Sequence, residues 1–488
     1  MAMKTARKLI LAFNRGVVSA LGLARIDLKR MGYSAETQTN WMPRVLGSMS
    51  LRVGFGKLDN TASNGITRLM PFVFSETDLA QVEVFDSAIY VRIDDARITR
   101  PSVSSAVTNG TFTTDLTGWT DIDVSPTSSI WISGDKLQLL GDGTEYAGQK
   151  QQVTTVETGV EHALKIVISQ GPVTFKVGST DLGEEYIAES DLGEGEHSLA
   201  FTPTGDFYIT IRSRLVGHVV IDSVTVESSG AMSLTAPWAD TALSKLRWEQ
   251  SADVIYVAAR GYTQRKIERR GTRSWSLVKY LPIDGPFRVI NITPTTIATN
   301  NLTTTATLTA SHGIFKSTHV GALFRIASIG QLVSRTIAAQ NLFSDPIKVT
   351  GTLEARVFGI VITGLSTSTV TVQYSIGAVG AWIDLATTYA AAVSTSYDDG
   401  QDNQIIYYRI GIKTGDYGSD TVVCQLNFVG GSITGVARIT AVASDVSATA
   451  VVLKAFGQLT ASLDWWEGEW SDFRGHPDSV RLHEGRNW

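Results

Sequence analysis

One block of the chain opens with Asn109-Gly110-Thr111-Phe112 and Gly118-Trp119 and closes with Val219-Val220-Ile221-Asp222-Ser223-Val224-Thr225-Val226. Between these ends, short runs alternate apolar and polar residues and are separated by turns that contain Gly, Asp and Pro. About eight short strands at regular spacing are typical of a β-sandwich or jelly roll. The pattern therefore predicts a jelly-roll module over residues 101–229.

This block also differs from its surroundings in charge. Residues 115–227 contain 18 Asp and Glu against 6 Lys and Arg, a net charge of −12, whereas the whole chain carries only −5. Residues 1–57 carry ten basic residues against Asp27 and Glu36, a net charge of +8. The change of sign near residue 100 predicts that the jelly roll is an insert in a platform that resumes after it. The flanking strands should then pair with each other across the insert.

The composition of the whole chain favours strands. Its 488 residues are 43% hydrophobic and 18% charged, and Thr, Ser, Val, Ile and Gly are abundant. We predict a mostly β, multi-domain protein, with a propeller-like or β-rich platform and inserted jelly-roll or sandwich modules. The single cysteine, Cys424, excludes a disulfide framework within one chain and is expected to be a buried free thiol.

Changes in composition predict five segments along the chain. The meander at 253–280 resembles a propeller blade, and the run at 405–412 is a strong strand in a second β module. The predicted segments are an N-terminal arm with the first part of the platform (1–100), an inserted carbohydrate-binding-like jelly roll (101–229), the platform continued (230–344), a small β-sandwich (345–432) and a return to the platform (433–488).

The residue pattern does not favour catalysis. The seven histidines lack metal-ligand spacing, and there is no nucleophile elbow, phosphate loop or dinucleotide fingerprint. Glu184, Glu185 and Glu189 leave an acid/base pair for sugar cleavage open, although solvated strand edges explain them more simply. Asp142 or Asp222 could help to hold a structural calcium ion. We expect a protein that is not an enzyme and needs no cofactor.

Two sets of residues are candidates for binding. Aromatic faces stack on sugars, so Trp119, Trp131 and Tyr146 are predicted to bind a ligand, with a core position as the alternative for Trp119. The basic N-terminal residues are predicted to lie at a subunit interface or along a DNA path, with a solvated arm as the alternative. This second set comprises Arg7, Lys8, Arg15, Arg25, Lys29 and Arg30.

Several segments towards both ends of the chain form a combination that is more specific than any one of them. They are Asn14-Arg15-Gly16, 23–27, Asn40-Trp41-Met42-Pro43-Arg44, 51–54, 68–74, 250–256, 265–267, 319–325 and Trp470-Ser471-Asp472-Phe473-Arg474-Gly475-His476-Pro477. Together they resemble the tail-nozzle, or tail stabilisation (tubular), proteins of short-tailed bacteriophages. Val53 stands where that family commonly has proline, so the turn there is expected to be less rigid. The family pattern normally continues beyond the last of these segments, and we expect this sequence to be truncated relative to it.

The resemblance implies a mechanical role in a virion tail that is assembled in the host bacterial cytoplasm. Nozzle proteins form a homo-oligomeric ring, usually six-fold, below the portal and adaptor. The ring holds and conducts DNA without sequence specificity and supports tail fibres. Residues 102–228 separately resemble carbohydrate-binding jelly rolls, which implies a surface glycan as a further partner.

Two other classes of protein stay open at this point. One is a carbohydrate- or host-surface-binding protein that is not a nozzle. The other is a secreted glycoside hydrolase with accessory modules, which would need a carboxylate pair in a cleft.

No apolar stretch of the chain is long enough to be a membrane span.

The C-terminus is rich in tryptophan. Trp465, Trp466, Trp470 and Trp488 lie close together in the sequence. A packed aromatic ring buries roughly 150–250 Å², so several exposed rings would form an adhesive patch. We expect partner chains to cover these four side chains, with burial in a domain of this chain itself as the alternative.

Overall fold

The computed structural model describes residues 12–22, 24–25, 27–57, 59–328, 330–483 and 486–487, and it forms two compact units, Met1–Asn60 and Thr61–Trp488. Strands make up 47% of the chain and helices 4%, which confirms the prediction of a mostly β, multi-domain fold. The helical segments are α1 (Asp240–Leu243) and short 3-10 helices at Ala20–Gly22, Lys29–Tyr33, Ala62–Asn64, Ser317–His319 and Leu353–Arg356.

The first unit contains one small hairpin, formed by β1 (Trp41–Pro43) and β2 (Met49–Leu51). Its turn is closed by a hydrogen bond from the Arg44 N–H to the Ser48 carbonyl. Gly47 has a φ of +96°, a backbone conformation that glycine adopts without strain.

The second unit begins with a meander that opens the platform. The strands are β3 (Arg68–Val73), β4 (Leu79–Phe85), β5 (Ala88–Ile93), β6 (Ala96–Arg97) and β7 (Thr99–Arg100). The register of β4 and β5 places Asp86 and Ser87 in the turn that connects these two strands.

The predicted jelly-roll module follows as ten strands. They form two sheets that face each other across one core, which includes Phe112, Phe175 and Phe207. One sheet has the order β9-β10-β17-β12-β15 and the other β8-β11-β16-β13-β14. The strands are β8 (Thr120–Asp121), β9 (Ser128–Ile132), β10 (Lys136–Leu140), β11 (Ala147–Val153), β12 (His162–Gln170), β13 (Val173–Gly178), β14 (Ile187–Leu192), β15 (Gly195–Phe201), β16 (Phe207–Ser213) and β17 (Val219–Val226).

The platform resumes on the far side of the insert. β7 pairs antiparallel with β18, so Arg100 lies opposite Gly230 and the two ends of the jelly roll are adjacent. β19 joins the first platform sheet beside β5, and a four-stranded meander, β20 to β23, packs on that sheet. The strands are β18 (Gly230–Ala231), β19 (Ser233–Thr235), β20 (Arg247–Ser251), β21 (Val254–Ala259), β22 (Tyr262–Gly271) and β23 (Ser274–Lys279).

The meander is not a separate blade, because β23 pairs with β15 of the jelly roll. Four platform strands and five jelly-roll strands therefore form one nine-stranded sheet. The platform core on its other side contains Trp275 packed edge-on against Phe72, with ring centroids 5.0 Å apart. An isolated jelly-roll fragment would leave β15 as an open edge, because β23 would be absent.

The chain then builds a small barrel around Phe324 and its apolar neighbours. Its six strands have the order β24-β25-β37-β36-β26-β38, and a bridge between Ile297 and Ser462 closes the two edges. The strands are β24 (Ile297–Thr299), β25 (Thr305–Ala310), β26 (Leu323–Ala327), β36 (Thr434–Ser444), β37 (Ser447–Lys454) and β38 (Trp465–Glu467), and β39 (Leu482–His483) pairs with β40 (Arg486–Asn487) beyond the barrel.

A second sandwich lies between β26 and β36 of the barrel. Its first strand begins at Gln331, earlier in the chain than the predicted start at 345, and Cys424 is buried in its core, where burial raises the pKa of the thiol to about 12. The strands are β27 (Gln331–Ile337), β28 (Leu342–Phe343), β29 (Ile347–Val349), β30 (Phe358–Thr363), β31 (Val370–Ile376), β32 (Ile383–Tyr389), β33 (Val393–Tyr397), β34 (Ile406–Ile412) and β35 (Val422–Phe428).

Candidate functional site

The opening motif of the jelly roll is a structural brace. Asn109 and Phe112 adopt positive φ values of 48° and 52°, and a side chain at Gly110 would meet the Val224 carbonyl oxygen at 2.2 Å. The Val224 N–H donates to the Gly110 carbonyl at 2.7 Å. The two halves of the sequence signature therefore meet in space, and their residue types are explained by this close approach of backbones.

Two of the three predicted sugar-stacking residues hold this brace. The Trp119 indole donates to the Asn109 carbonyl at 3.2 Å, and the Trp131 indole donates to the Phe112 carbonyl at 2.7 Å. Trp119 is 9% exposed and packs in the core, so the core alternative describes it better than the binding prediction. Trp131 lies on the edge strand β9 and is 37% exposed, which leaves part of its ring open.

Tyr146 lies in a different environment from the two tryptophans. The guanidinium groups of Arg212 and Arg214 cover its ring at 4.1 and 4.0 Å from the centroid. It lines an open hollow of about 440 Å³ together with Glu189 and Asp191. The structure therefore does not assemble the three aromatic residues into one stacking platform.

The acidic residues that were considered for an acid/base pair or for calcium binding form hydrogen bonds or ion pairs with nearby residues. Glu184 and Glu185 accept hydrogen bonds from the backbone of Glu189 and Ser179, and Glu189 pairs with Arg212. Lys136 pairs with Asp222 at 2.7 Å. Among the residues that the structure describes, no group of three His, Cys, Asp or Glu side chains could hold a metal ion.

Asp142 instead caps a turn. Hydrogen bonds from the backbone N–H groups of Glu145 and Thr144 lower the pKa of its carboxyl group. The structure does not bring Asp142 and Asp222 into a common cation site within its described residues.

A buried arginine fixes the base of the insert. Arg100 is the last residue of β7 and is 4% exposed. It pairs with Glu227 at 2.7 Å and with Glu161 at 3.0 Å, and it donates to the Ser198 hydroxyl at 2.7 Å. Arg273 of the meander also pairs with Glu161. This cluster joins the platform to both ends of the jelly roll, and the sequence patterns did not identify it.

Two of the segments that carry the family resemblance meet around Glu467. Arg474 donates to both carboxylate oxygens at 2.8 and 2.6 Å, and His319 Nε2 lies 3.0 Å from the same group. The Lys316 N–H donates to His319 Nδ1 at 2.9 Å, which orients the ring so that Nε2 faces the Glu467 carboxylate. Burial would raise the pKa of Glu467, but these hydrogen bonds outweigh it and lower the pKa to about 2.

The C-terminal tryptophans are covered partly by this chain itself. Trp465 is 9% exposed, packs in the barrel core and donates to the Thr295 carbonyl at 2.9 Å. The expectation of burial by partner chains is wrong for this residue, because β38 turns it into the barrel. Trp466 stacks on Arg325 and is half-buried, as is Trp470, while Trp488 lies outside the described residues.

A cleft of about 400 Å³ opens where the jelly roll, the meander and the barrel meet. Arg438 lines this cleft, and its guanidinium group donates hydrogen bonds to the carbonyls of Gly321 and Pro282 at 3.2 and 3.0 Å. Burial lowers the pKa of Arg438, with the nearby Glu194 acting in the opposite direction. Glu194 in turn pairs with Lys279, so the polar groups at the cleft serve mainly to hold the modules together.

The N-terminal unit presents a different kind of surface. None of its described residues is buried, and Arg15, Arg25, Lys29 and Arg30 are all exposed. Arg25 pairs with Asp27 at 2.8 Å, whereas Arg7 and Lys8 lie outside the described residues.

Large apolar side chains of the same unit are also open to solvent. Their exposed fractions are 94% for Leu21, 91% for Val45, 98% for Leu46, 87% for Val53 and 90% for Phe55. We call these five residues, together with Arg15, Lys29 and Arg30, the arm surface. The charge pattern identified its basic part, but its apolar part was missed because separate apolar residues near short turns give no periodic signal.

Comparisons with known proteins identify no family for the chain. No family model and no curated protein matches it, so neither comparison supports the tail-nozzle resemblance, which stays a prediction. In the described residues, no helix is long and apolar enough to cross a membrane.

Three solved structures that match the chain are only weakly similar to it. The CBM22-1–CBM22-2 tandem domain of Xyn10C from Paenibacillus barcinonensis is 10% identical and covers 72% of this chain and 100% of its own, with a TM-score of 0.19. Procruciferin, an 11S globulin from Brassica napus, is 8% identical and covers 65% and 86%, with a TM-score of 0.11. HEPD from Streptomyces albus is 9% identical and covers 64% and 76%, with a TM-score of 0.12. These scores are too low to support an argument about fold or function.

Proposed function

We propose that this protein is a structural subunit of a bacteriophage tail that assembles into a homo-oligomeric ring. The arm surface is the observation that carries this proposal. Five large apolar side chains at 87–98% exposure lie in a unit with no buried described residue, and isolated soluble proteins rarely leave so much apolar surface in water. A subunit interface would cover these side chains.

The rest of the chain supplies what a mechanical subunit needs. A shared nine-stranded sheet and the buried Arg100 cluster join the jelly roll to the platform. The second sandwich is inserted in the chain between β26 and β36 of the barrel. The sequence segments that resemble nozzle proteins supply the Glu467 hub, where His319 and Arg474 meet. The proposed role is to hold and conduct DNA below the portal and adaptor, to support tail fibres, and to do so without catalysis or a cofactor. A head-to-tail contact that repeats by rotation closes into such a ring.

Electron microscopy of the purified full chain and of particles tests this proposal. The expected result is a closed ring, six-fold by the resemblance, with a central channel that holds DNA in filled particles. A chain that remains monomeric at high concentration and is absent from tail density would overturn the proposal.

A second candidate function is the binding of a surface glycan by the jelly roll. It is favoured by the open part of the Trp131 ring and by the hollow beside Tyr146, which has Arg214 and Asp191 as polar neighbours. Binding of the full chain to a glycan array should decrease for Trp131→Ala and Tyr146→Ala, with Trp382→Ala in the second sandwich as the control. An array without any reproducible binding would exclude this function.

A further inference from the structure

The arm surface combines two properties that together restrict its partner. Its basic side chains favour any acidic surface, including the phosphates of DNA. A nucleic acid backbone would neutralise Arg15, Lys29 and Arg30 but would leave Leu46 and Phe55 in water. A protein surface that is both acidic and apolar would cover both kinds of side chain, as buried interface cores with polar rims do.

One edge of the jelly roll has this composition. β8 and β9 are the outermost strands of the two facing sheets. Val124, Ile130 and Trp131 are 49%, 48% and 37% exposed there. β9 also has no strand on its outer side in the described residues, so its backbone groups on that side are available for pairing.

Carboxylates surround these apolar residues. Asp121 ends β8, Asp135 immediately precedes β10, and Glu145 adjoins Tyr146, whose carbonyl accepts a hydrogen bond from Thr127 just before β9. All three are exposed, and within the described part of the chain none of them forms an ion pair. We call these three carboxylates, with Val124, Ile130 and Trp131, the acidic edge.

We propose that the arm surface of one copy of this chain docks on the acidic edge of a second copy. The inference rests on the proposed ring, whose repeating contact it identifies. The N-terminal segment carries a net charge of +8 and the jelly-roll block −12, so the two surfaces attract, and each offers the other apolar area to bury. The contact is heterologous, because an arm meets an edge rather than another arm, and such a contact closes into a ring when its rotation brings the last copy back to the first.

Charge substitutions in the full chain test this contact by light scattering after size-exclusion chromatography. The arm variant carries Arg15→Glu, Lys29→Glu and Arg30→Glu. The edge variant carries Asp121→Asn, Asp135→Asn and Glu145→Gln, which remove charge while keeping the oxygens that accept the Asp123 and Thr114 N–H groups. The control removes three exposed carboxylates elsewhere on the jelly roll by Glu184→Gln, Asp191→Asn and Asp206→Asn.

The arm and edge variants should each weaken self-association by about tenfold, because three exposed ion pairs are lost at a fraction of a kcal/mol to 1 kcal/mol each. The control should associate as the unmodified chain does. A mixture of the arm variant with the edge variant should form pairs of limited size, because one intact arm can still meet one intact edge. Docking of an arm on its own chain would give no pairs in this mixture and would overturn the inference.

Other outcomes separate this inference from the proposed function. Association that is equal for the edge variant and the control would overturn the inference while leaving the ring in place. An unmodified chain that never associates would overturn both. If the arm variant loses binding to a short double-stranded DNA fragment but assembles normally, the arm serves DNA and not a second copy.

Discussion

The arm and the jelly roll use similar residues in opposite ways. Phe55 in the arm is 90% exposed, whereas Phe112 in the jelly roll is fully buried and Trp119 is 9% exposed. The jelly roll has ten strands in two facing sheets and encloses its own core, but the described part of the arm has one hairpin of two three-residue strands. A short hairpin cannot enclose apolar side chains by itself, so the same residue type stabilises the fold in one region and is left for association in the other.

The largest effect on stability is expected from a substitution in the core of the jelly roll. Trp119→Ala should lower the free energy of unfolding of the jelly roll by about 4 kcal/mol, because it leaves a cavity and removes the indole that holds the Asn109 carbonyl. Denaturant unfolding followed by circular dichroism measures the change. Trp131→Ala is the matched control and should cost about half as much or less, since that ring is partly in solvent; equal losses would contradict the assignment of Trp119 to the core.

A slightly smaller loss is expected at the base of the insert. Arg100→Met should destabilise the chain by about 3 kcal/mol, because Glu227 would keep a buried carboxylate without its main partner. Glu161 retains Arg273, which limits the loss. Arg214→Met is the control at an exposed position and should change the free energy of unfolding by less than about 1 kcal/mol. Thermal unfolding of the unmodified chain and of these two variants measures the changes. Equal losses for Arg100→Met and Arg214→Met would contradict the role of the cluster in joining the platform to the jelly roll.

The Glu467 hub should make stability depend on pH. Its folded pKa of about 2 lies below the ordinary value of 4.5, so its contribution is complete above pH 4.5 and is lost as the pH falls towards 2. The loss should be about 3 kcal/mol at most. Comparing denaturant unfolding of the unmodified chain and of Glu467→Gln at pH 7 and pH 3 isolates this contribution. A variant whose pH dependence matches that of the unmodified chain would contradict the hub.

The smallest effect on stability should come from the arm. Leu46→Ser should change the free energy of unfolding by less than about 0.5 kcal/mol, because the side chain is 98% exposed and contributes no buried area within one chain. The same change should weaken self-association measured by light scattering. A large loss of stability in the monomer would show that the arm packs on its own chain.

Much of the fold could be predicted from the sequence because strand alternation is a local signal. The short strands between Thr120 and Val226 are indicated by alternation and turn residues, and the change in charge indicates that the flanking strands β7 and β18 pair. The first strand of the second sandwich was missed because the strands that follow it, β28 and β29, have only two and three residues and give little alternation.

The candidate sites were harder to predict because burial depends on distant residues. Arg100 looks like any surface arginine until Glu227, 127 residues later, is placed beside it. Trp119 and Trp131 are identical in type and differ only because β9 lies at an edge. The position of a strand within its sheet is not encoded in the residues of that strand alone, so sequence patterns could not separate the core tryptophan from the open one.

The adjacent ends of the insert at β7 and β18 have a consequence for how such proteins diversify. A module whose two ends emerge side by side can be gained or replaced by recombination without a change in the host scaffold. The pairing of β23 with β15 narrows that freedom. A replacement module would have to offer an edge strand at the same position and in the same direction as β15. Without such a strand, the backbone edge of β23 would be exposed. Exchange should therefore favour modules of one architecture, which keep both the strand that meets β23 and the opposite edge at β9.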